Sequence, residues 1–245
     1  MKNTLELSVI IPAKDEQDNV KPLIDEICTA LRGVLAFEII YIDDGSQDAT
    51  YARLKSLCDG NYPELRPIRH RFSVGQSAAI YSGVQQASGR LIVTLDADGQ
   101  NNPADIPGML NEANRMPDGV DFCVTGYRKK RKDTPWRRFQ SRFANNIRSR
   151  MLGDNTPDSG CGLRITPRST FLKLPYFDHM HRFMPALVKR VGGIIVTVEV
   201  THRDRQFGQS KYNMLGRLGV GIIDLLGVMW LQRRSHLPEI RSDDD

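Results

Sequence analysis

Cysteine is scarce and scattered in this 245-residue chain: Cys28, Cys58, Cys123 and Cys161 include no Cys-x-x-Cys pair. That spacing argues against a zinc site and a disulfide framework, and it fits a reducing compartment. Aromatic residues make up only 7% of the chain and no nucleic-acid-binding motif appears, which weighs against a nucleic-acid partner. Long apolar runs are missing too. The best candidate, Met214 to Leu231, is interrupted by Arg217 and Asp224 and holds four glycines, whereas a membrane span needs about 20 predominantly apolar residues. Met1 to Leu7 is short and polar and does not read as a signal peptide. No Gly-x-Gly-x-x-Gly follows the first strand pattern, and there is no Gly-Lys-Ser/Thr phosphate loop. Dinucleotide oxidoreductases and P-loop ATPases are thereby disfavoured, and a bound diphosphate would have to be held by a metal and Arg/Lys.

What is present is an ordinary globular composition, 40% hydrophobic and 26% charged, in a chain long enough to bury a large core. Strand patterns at Leu7–Ile11, Phe37–Ile42, Leu91–Leu95 and Asp121–Gly126 alternate with helical patterns. One helix runs through Val20, Leu23, Ile24, Ile27 and Leu31; others cover 75–87 and 103–115. This alternation predicts a mostly parallel, doubly wound sheet flanked by helices. Later segments predict a basic helix over 135–152, a loop over 154–162 and a strand over 194–200.

Three of the strand patterns end in acids: Asp15-Glu16, Asp43-Asp44 and Asp96-Ala-Asp98. In a doubly wound sheet these ends converge on one crevice. Asp96 and Asp98 are two residues apart, so in extended backbone they share a face and can hold one divalent cation. Taken alone, an Asp-x-Asp is as compatible with a polar turn as with a metal site. Asp44 is placed to accept hydrogen bonds from a base or ribose. His70 and His236 read as surface residues, and Cys161 as a small packed residue.

The net charge of +5 is concentrated: ten Lys or Arg and one acid, Asp133, lie between Arg128 and Arg150. Such density fits an anionic partner, although a solvated basic helix is the bland alternative. Arg137, Arg138, Arg142 and Arg148 are candidates for anionic headgroups. Met214 to Leu231, with Trp230 and followed by Arg233-Arg234, fits an amphipathic helix pair at a membrane interface, or packing on the domain or a partner protein. The chain divides into a domain over 1–212, these helices over 213–235 and an acidic tail over 236–245 expected to be disordered.

The motifs Val9-Ile-Ile-Pro12-Ala-Lys-Asp-Glu16, Ile42-Asp-Asp-Gly-Ser46, Gly75-Gln76 and Asp96-Ala-Asp98-Gly-Gln100 resemble family 2 glycosyltransferases of the GT-A fold. Ser159-Gly-Cys-Gly-Leu-Arg164, His181-Arg-Phe183 and the stretch from His202 to Tyr212 narrow the resemblance to polyprenyl-phosphate sugar transferases, the dolichol-phosphate mannosyltransferases among them. The resemblance implies that Pro12, Lys14, Glu16, Ile42 and Asp44 contact the nucleotide, although relatives often carry an aromatic residue where Lys14 stands. It implies that Asp96, Asp98 and Gln100 hold Mg²⁺ or Mn²⁺, with Ala97 lending backbone contact. Arg128, Arg205 and Lys211 would grip diphosphate or acceptor phosphate; the basic helix adds Arg142 as a candidate for the acceptor phosphate, together with Ser159. Asp98, Arg205 and Lys211 would then carry the catalytic step. The implied reaction is inverting transfer of a hexose from a GDP- or UDP-sugar to a polyprenyl phosphate, at the cytoplasmic face of the inner membrane and with a possible membrane-protein partner. A phosphate acceptor is already ionised near neutral pH and needs no strong base, whereas a sugar hydroxyl would need a positioned carboxylate such as Asp158. A same-fold enzyme acting on a saccharide hydroxyl is the alternative, and a non-catalytic basic module binding membrane or nucleic acid is a second.

Overall fold

The computed structural model of the chain describes residues 5–128, 145, 147–205 and 214–234. Seven strands, β1 (Leu7–Ala13), β2 (Phe37–Asp43), β3 (Leu65–Arg69), β4 (Leu91–Thr94), β5 (Phe122–Tyr127), β6 (Arg164–Pro167) and β7 (Ile194–Glu199), form one sheet. Their order is β3-β2-β1-β4-β6-β5-β7. The sheet is mostly parallel; β6 alone runs antiparallel to its neighbours β4 and β5.

The near-continuous apolar strands are buried on both faces, as a sheet covered by helices on each side requires. Successive side chains alternate between two cores. Val9, Ile11, Ile39, Tyr41 and Val93 face one layer, where α1 (Val20–Leu31) and α4 (Ile106–Ala113) pack. Ile10, Ile40, Ile42 and Ile92 face the other, against Ala79, Ile80 and Val84 of α3 (Gln76–Gln86) and the helix Met184–Arg190. The periodic residues expected on α1 are all buried. A further helix, α2 (Thr50–Cys58), closes the β2–β3 side.

This topology fixes the site. The chain leaves β1 for β2 on one side, while β4 lies on the other, so a crevice opens at their carboxyl ends. Because β5 and β7 are parallel to each other and β6 is antiparallel, the segments after β5 and β7 and the loop before β6 reach the same edge.

The C-terminal apolar segment is one helix, Met214–Arg233, not the pair the sequence predicts. Val228 is buried, Leu225 and Met229 pack on the second core, and Gln232 Nε2 donates to the Leu152 carbonyl at 3.0 Å. Asp224 Oδ2 lies 3.1 Å from His179 Nδ1. Ile222, Ile223, Leu226 and Trp230 face solvent. Among the described residues, no helix is long and apolar enough to cross a membrane. Arg148 turns inward, its guanidinium 2.7 Å from Asp154, so it does not offer its charge outward as expected. Arg137, Arg138, Arg142, Lys211, His236 and the tail over 236–245 lie outside the described residues.

Candidate active site

Asp96 and Asp98 follow β4, and the chain turns after them at Gly99, whose φ is +72°. The two carboxylates meet different partners. Asp96 Oδ1 accepts from Gln76 Nε2 at 2.8 Å, and its own N–H points to Asn101 Oδ1 at 3.3 Å. Asp98 Oδ1 accepts from the Gln100 N–H at 3.1 Å, while Oδ2 takes the Arg205 guanidinium at 2.7 Å. Gly162, one residue before the loop chain enters β6 through Leu163, presses on Asp96: a Cβ there would stand 2.2 Å from Oδ2. Thr94 Oγ1 donates to the Gly162 carbonyl at 2.7 Å and holds that loop in place. Any side chain at position 162 would have to displace the Asp96 carboxylate or the loop.

Burial, followed by the Asp98 charge, pushes the Asp96 carboxyl up to about 6, against the opposing pull of Arg164, Arg128 and Gln76. A carboxylate pair that resists its own charge fits a cation. The Asp96 and Asp98 carboxylates could hold a hard divalent ion that keeps water and phosphate as its remaining ligands, and Gln100, whose N–H bonds Asp98, stands next to them in the chain. Among the described residues, no group of three or more His, Cys, Asp or Glu forms a fuller cage.

The raised value also has a sign in stability. Between 3.8 and about 6, folded Asp96 keeps a proton that the unfolded chain has released, so its contribution falls as pH rises through that window. Asp96→Asn is therefore expected to raise the Tm of the metal-free protein at pH ~7.5 and to leave it near wild type at pH ~4. Thermal melts at the two pH values check this; equal shifts at both would contradict it.

The nucleotide side is built on β2. Asp44 is buried and saturated. Ser73 Oγ and the Gly75 N–H donate to Oδ2, each at 2.8 Å, and the Val74 N–H donates to Oδ1 at 3.0 Å. His70 Nδ1 lies 2.8 Å from the same Oδ1, and its Nε2 lies 3.0 Å from Ser82 Oγ on α3. His70 is thus no surface residue, as expected above, but a brace between β2, the loop over 70–75 and α3. Burial pushes the Asp44 carboxyl up, but the four hydrogen bonds outweigh it and hold it below the ordinary range. That contribution is present at neutral pH and is lost as the medium is acidified below the usual carboxylate value. Asp44→Ala strands these donors and is expected to destabilise the fold by about 2–3 kcal/mol, seen as a lower urea midpoint. An unchanged midpoint would count against the bracing role.

Beside this loop lies a crevice of about 590 Å³ lined by Lys14, Ser46, Arg69, Arg71 and Phe72, among others. Lys14 is exposed there. Pro12 and Ile42 pair across β1 and β2, and Ile42 is wholly buried. Glu16 accepts from Asn19 Nδ2 at 2.7 Å. Asp15 sits at φ +52°; its N–H donates to Ser46 Oγ and its Oδ1 accepts from the Gln47 N–H, which laces the β1 exit to the β2 exit.

On the other side, Arg128 forms a bidentate pair with Asp158, at 2.7 and 2.9 Å. The residue expected to grip phosphate and the carboxylate available as a base thus hold each other. Ser159 Oγ donates to Asn145 Oδ1 at 2.9 Å. Arg164 is buried and donates to the carbonyls of His181 and Ser159 at 2.6 and 2.7 Å. His181 Nδ1 lies 2.7 Å from Ser77 Oγ. Cys161 is buried, as predicted. After β7 the chain is strapped back over the edge: Arg203 makes a bidentate pair with Glu26 on α1, and Thr201 bonds Asp105. This strap carries Arg205 to Asp98. The structure therefore brings Asp96, Asp98, Gln100 and Arg205 together. It sets Asp44 behind the crevice wall and pairs Arg128 away from open space.

A mostly parallel sheet with paired acids at its switch point, and a cationic strap across them, is the arrangement that the motif resemblance implies for a glycosyltransferase domain of the GT-A type. The chain belongs to glycosyl transferase family 2, whose family model matches residues 8–174. It is 37% identical over 239 residues to the dodecaprenyl-phosphate galacturonate synthase of Rhizobium johnstonii, covering 96% of this chain and 70% of that protein. It is 33% identical over 210 residues to the undecaprenyl-phosphate 4-deoxy-4-formamido-L-arabinose transferase of Yersinia pestis, covering 85% of this chain and 63% of that one. Mannosyl-3-phosphoglycerate synthase from Rubrobacter xylanophilus shares the fold at a TM-score of 0.72 and 19% identity, covering 98% of this chain and 78% of that one. So does glucosyl-3-phosphoglycerate synthase from Mycobacterium tuberculosis in complex with Mn²⁺, UDP and glucosyl-3-phosphoglycerate, at 0.64 and 18%, covering 96% and 81%.

Proposed function

We propose that the chain transfers a sugar, with inversion, from a UDP- or GDP-linked donor to the phosphate of a polyprenyl phosphate. The observation that carries this reading is the convergence of Asp96, Asp98 and Arg205 at the switch point of the sheet. Asp98, with Asp96 and Gln100, would hold Mg²⁺ or Mn²⁺, and Arg205 and Lys211 would face the phosphates. A bound cation supplies charge neutralisation for a departing nucleoside diphosphate. Arg205 adds a preformed positive group at the same place, where charge develops as the sugar–phosphate bond breaks. The Mn²⁺ and UDP of the mycobacterial complex support this pairing of metal and donor.

The phosphate acceptor is supported by two considerations. The names of the rhizobial and yersinial relatives specify polyprenyl-phosphate products or acceptors. Asp158, the carboxylate beside Ser159, is engaged by Arg128, which leaves it poorly disposed to deprotonate a hydroxyl. An ionised phosphate oxygen needs no such help. The face of Met214–Arg233 bearing Ile222, Ile223, Leu226 and Trp230, with Arg233 and Arg234 at its end, fits peripheral attachment to an anionic membrane at its cytoplasmic side.

A panel of UDP- and GDP-linked sugars offered with a short-chain polyprenyl phosphate tests the reading. Metal-dependent formation of a sugar-phosphate lipid of inverted anomeric configuration is the expected result. Transfer to a saccharide hydroxyl alone would replace it with the alternative acceptor class.

A further inference from the structure

Among the described residues that line the crevice beside the β2 exit, the imidazole of His70 is engaged by Asp44 and Ser82, while Phe72 supplies the phenyl ring and is 69% exposed. Its neighbours there are polar or cationic, Lys14, Gln47 and Arg71 among them. On an ordinary surface a single exposed phenylalanine would need no explanation. This one is held on a pinned backbone at the mouth of a cavity. Ser73 Oγ and the amides of Val74 and Gly75 donate to Asp44, and His70 bridges Asp44 to Ser82. Gly45 lies so close behind that a Cβ on it would stand 2.7 Å from the Phe72 carbonyl carbon and 2.6 Å from the Ser73 nitrogen. The ring is therefore presented by a loop that has already lost its freedom, which is what a preorganised contact requires.

Its place along the sheet says what it meets. The carboxylates and Arg205 stand at the β4 end, and the crevice spans the exits of β1, β2 and β3, with Phe72 on the β3 side, three strand spacings from β4, or about 14 Å. A donor whose diphosphate is held at Asp98 lays its nucleoside toward that crevice. We infer that Phe72 is the platform on which the nucleobase stacks, and that it sets much of the affinity for the nucleotide. This rests on the donor reading proposed above. Stacking uses the π face that every base offers, so the contribution is similar for a pyrimidine and a purine.

Calorimetric titration of UDP, GDP and inorganic pyrophosphate, each with Mn²⁺, into wild type, Phe72→Ala and Phe72→Trp tests the assignment. Phe72→Ala is expected to weaken whichever nucleotide the wild type binds by about tenfold, with pyrophosphate affinity unchanged, and Phe72→Trp is expected to restore it. In turnover the donor KM rises in Phe72→Ala while kcat holds. Wild-type nucleotide affinity in Phe72→Ala would overturn this inference alone. An equal loss of pyrophosphate binding would also overturn it, since that marks a damaged loop. A wild type that binds neither nucleotide would overturn the donor reading itself and this inference with it.

Discussion

Asp98→Asn is expected to lower turnover by about 10³-fold while leaving the protein folded. The asparagine keeps the shape and one oxygen, so the Gln100 N–H retains an acceptor at the position of Oδ1. What it removes is a full negative charge from the point where the cation and Arg205 converge. Loss of one group that stabilises developing charge typically costs 10²–10³ in rate, and loss of metal positioning adds to this. Arg205 loses its acceptor at Oδ2, but both side chains are only partly buried and water can replace that bond, so the melting temperature should move little. Donor titration with initial rates, alongside a thermal melt, measures both. Near-normal turnover in a folded Asp98→Asn protein would remove Asp98 from the catalytic assignment.

Gly162→Ala should be nearly as damaging to activity, by a different route. The added methyl would sit 2.2–2.6 Å from all three carboxyl atoms of Asp96. Asp96 cannot simply swing away, because Oδ1 is taken by Gln76 and its backbone is tied to Asn101. Either the carboxylate is displaced or the loop leading into β6 backs off, pulling Thr94 Oγ1 from the Gly162 carbonyl. Overpacking of this kind costs about 1–3 kcal/mol in stability, but the larger effect falls on the site. A displacement of order 1 Å in a catalytic group can cost about 10² in rate. The expected result is a folded protein with a modestly lower Tm, at least about 10²-fold lower turnover and weakened metal dependence. Full activity in Gly162→Ala would show that the Asp96 cradle is not required.

These two variants illustrate which parts of the site the sequence could carry. Asp98 was legible because strand-end acids two residues apart are a local pattern, and the doubly wound order follows from the alternation of strand and helix. Gly162 sits in a quoted motif, yet nothing local reveals that it abuts Asp96. That contact exists because β6 runs antiparallel beside β4, pairing Arg164 with Thr94, a long-range pairing that no short window contains. His70 failed for the same reason: its partners Asp44 and Ser82 are 26 and 12 residues away. Arg128 and Asp158 read separately as a phosphate grip and a base, and only the fold shows them as one ion pair. Arg205 was placed by resemblance; its seat at Asp98 depends on the strap from Arg203 to Glu26, 177 positions apart in the chain.

The pairing of Arg128 with Asp158 also sharpens the chemistry. Asp158, committed to Arg128, is poorly disposed to take a proton from a neutral hydroxyl, whereas a phosphate brings its own charge. The distinction separates two acceptors of identical chain length that differ only in the terminal group. The most direct measurement is therefore transfer of labelled sugar, with Mg²⁺ or Mn²⁺, to a polyprenyl phosphate and to the corresponding polyprenol side by side. Metal-dependent labelling of the phosphate lipid, with none of the alcohol, is the predicted result. Equal labelling of the alcohol, or labelling of a saccharide in place of both lipids, would contradict it.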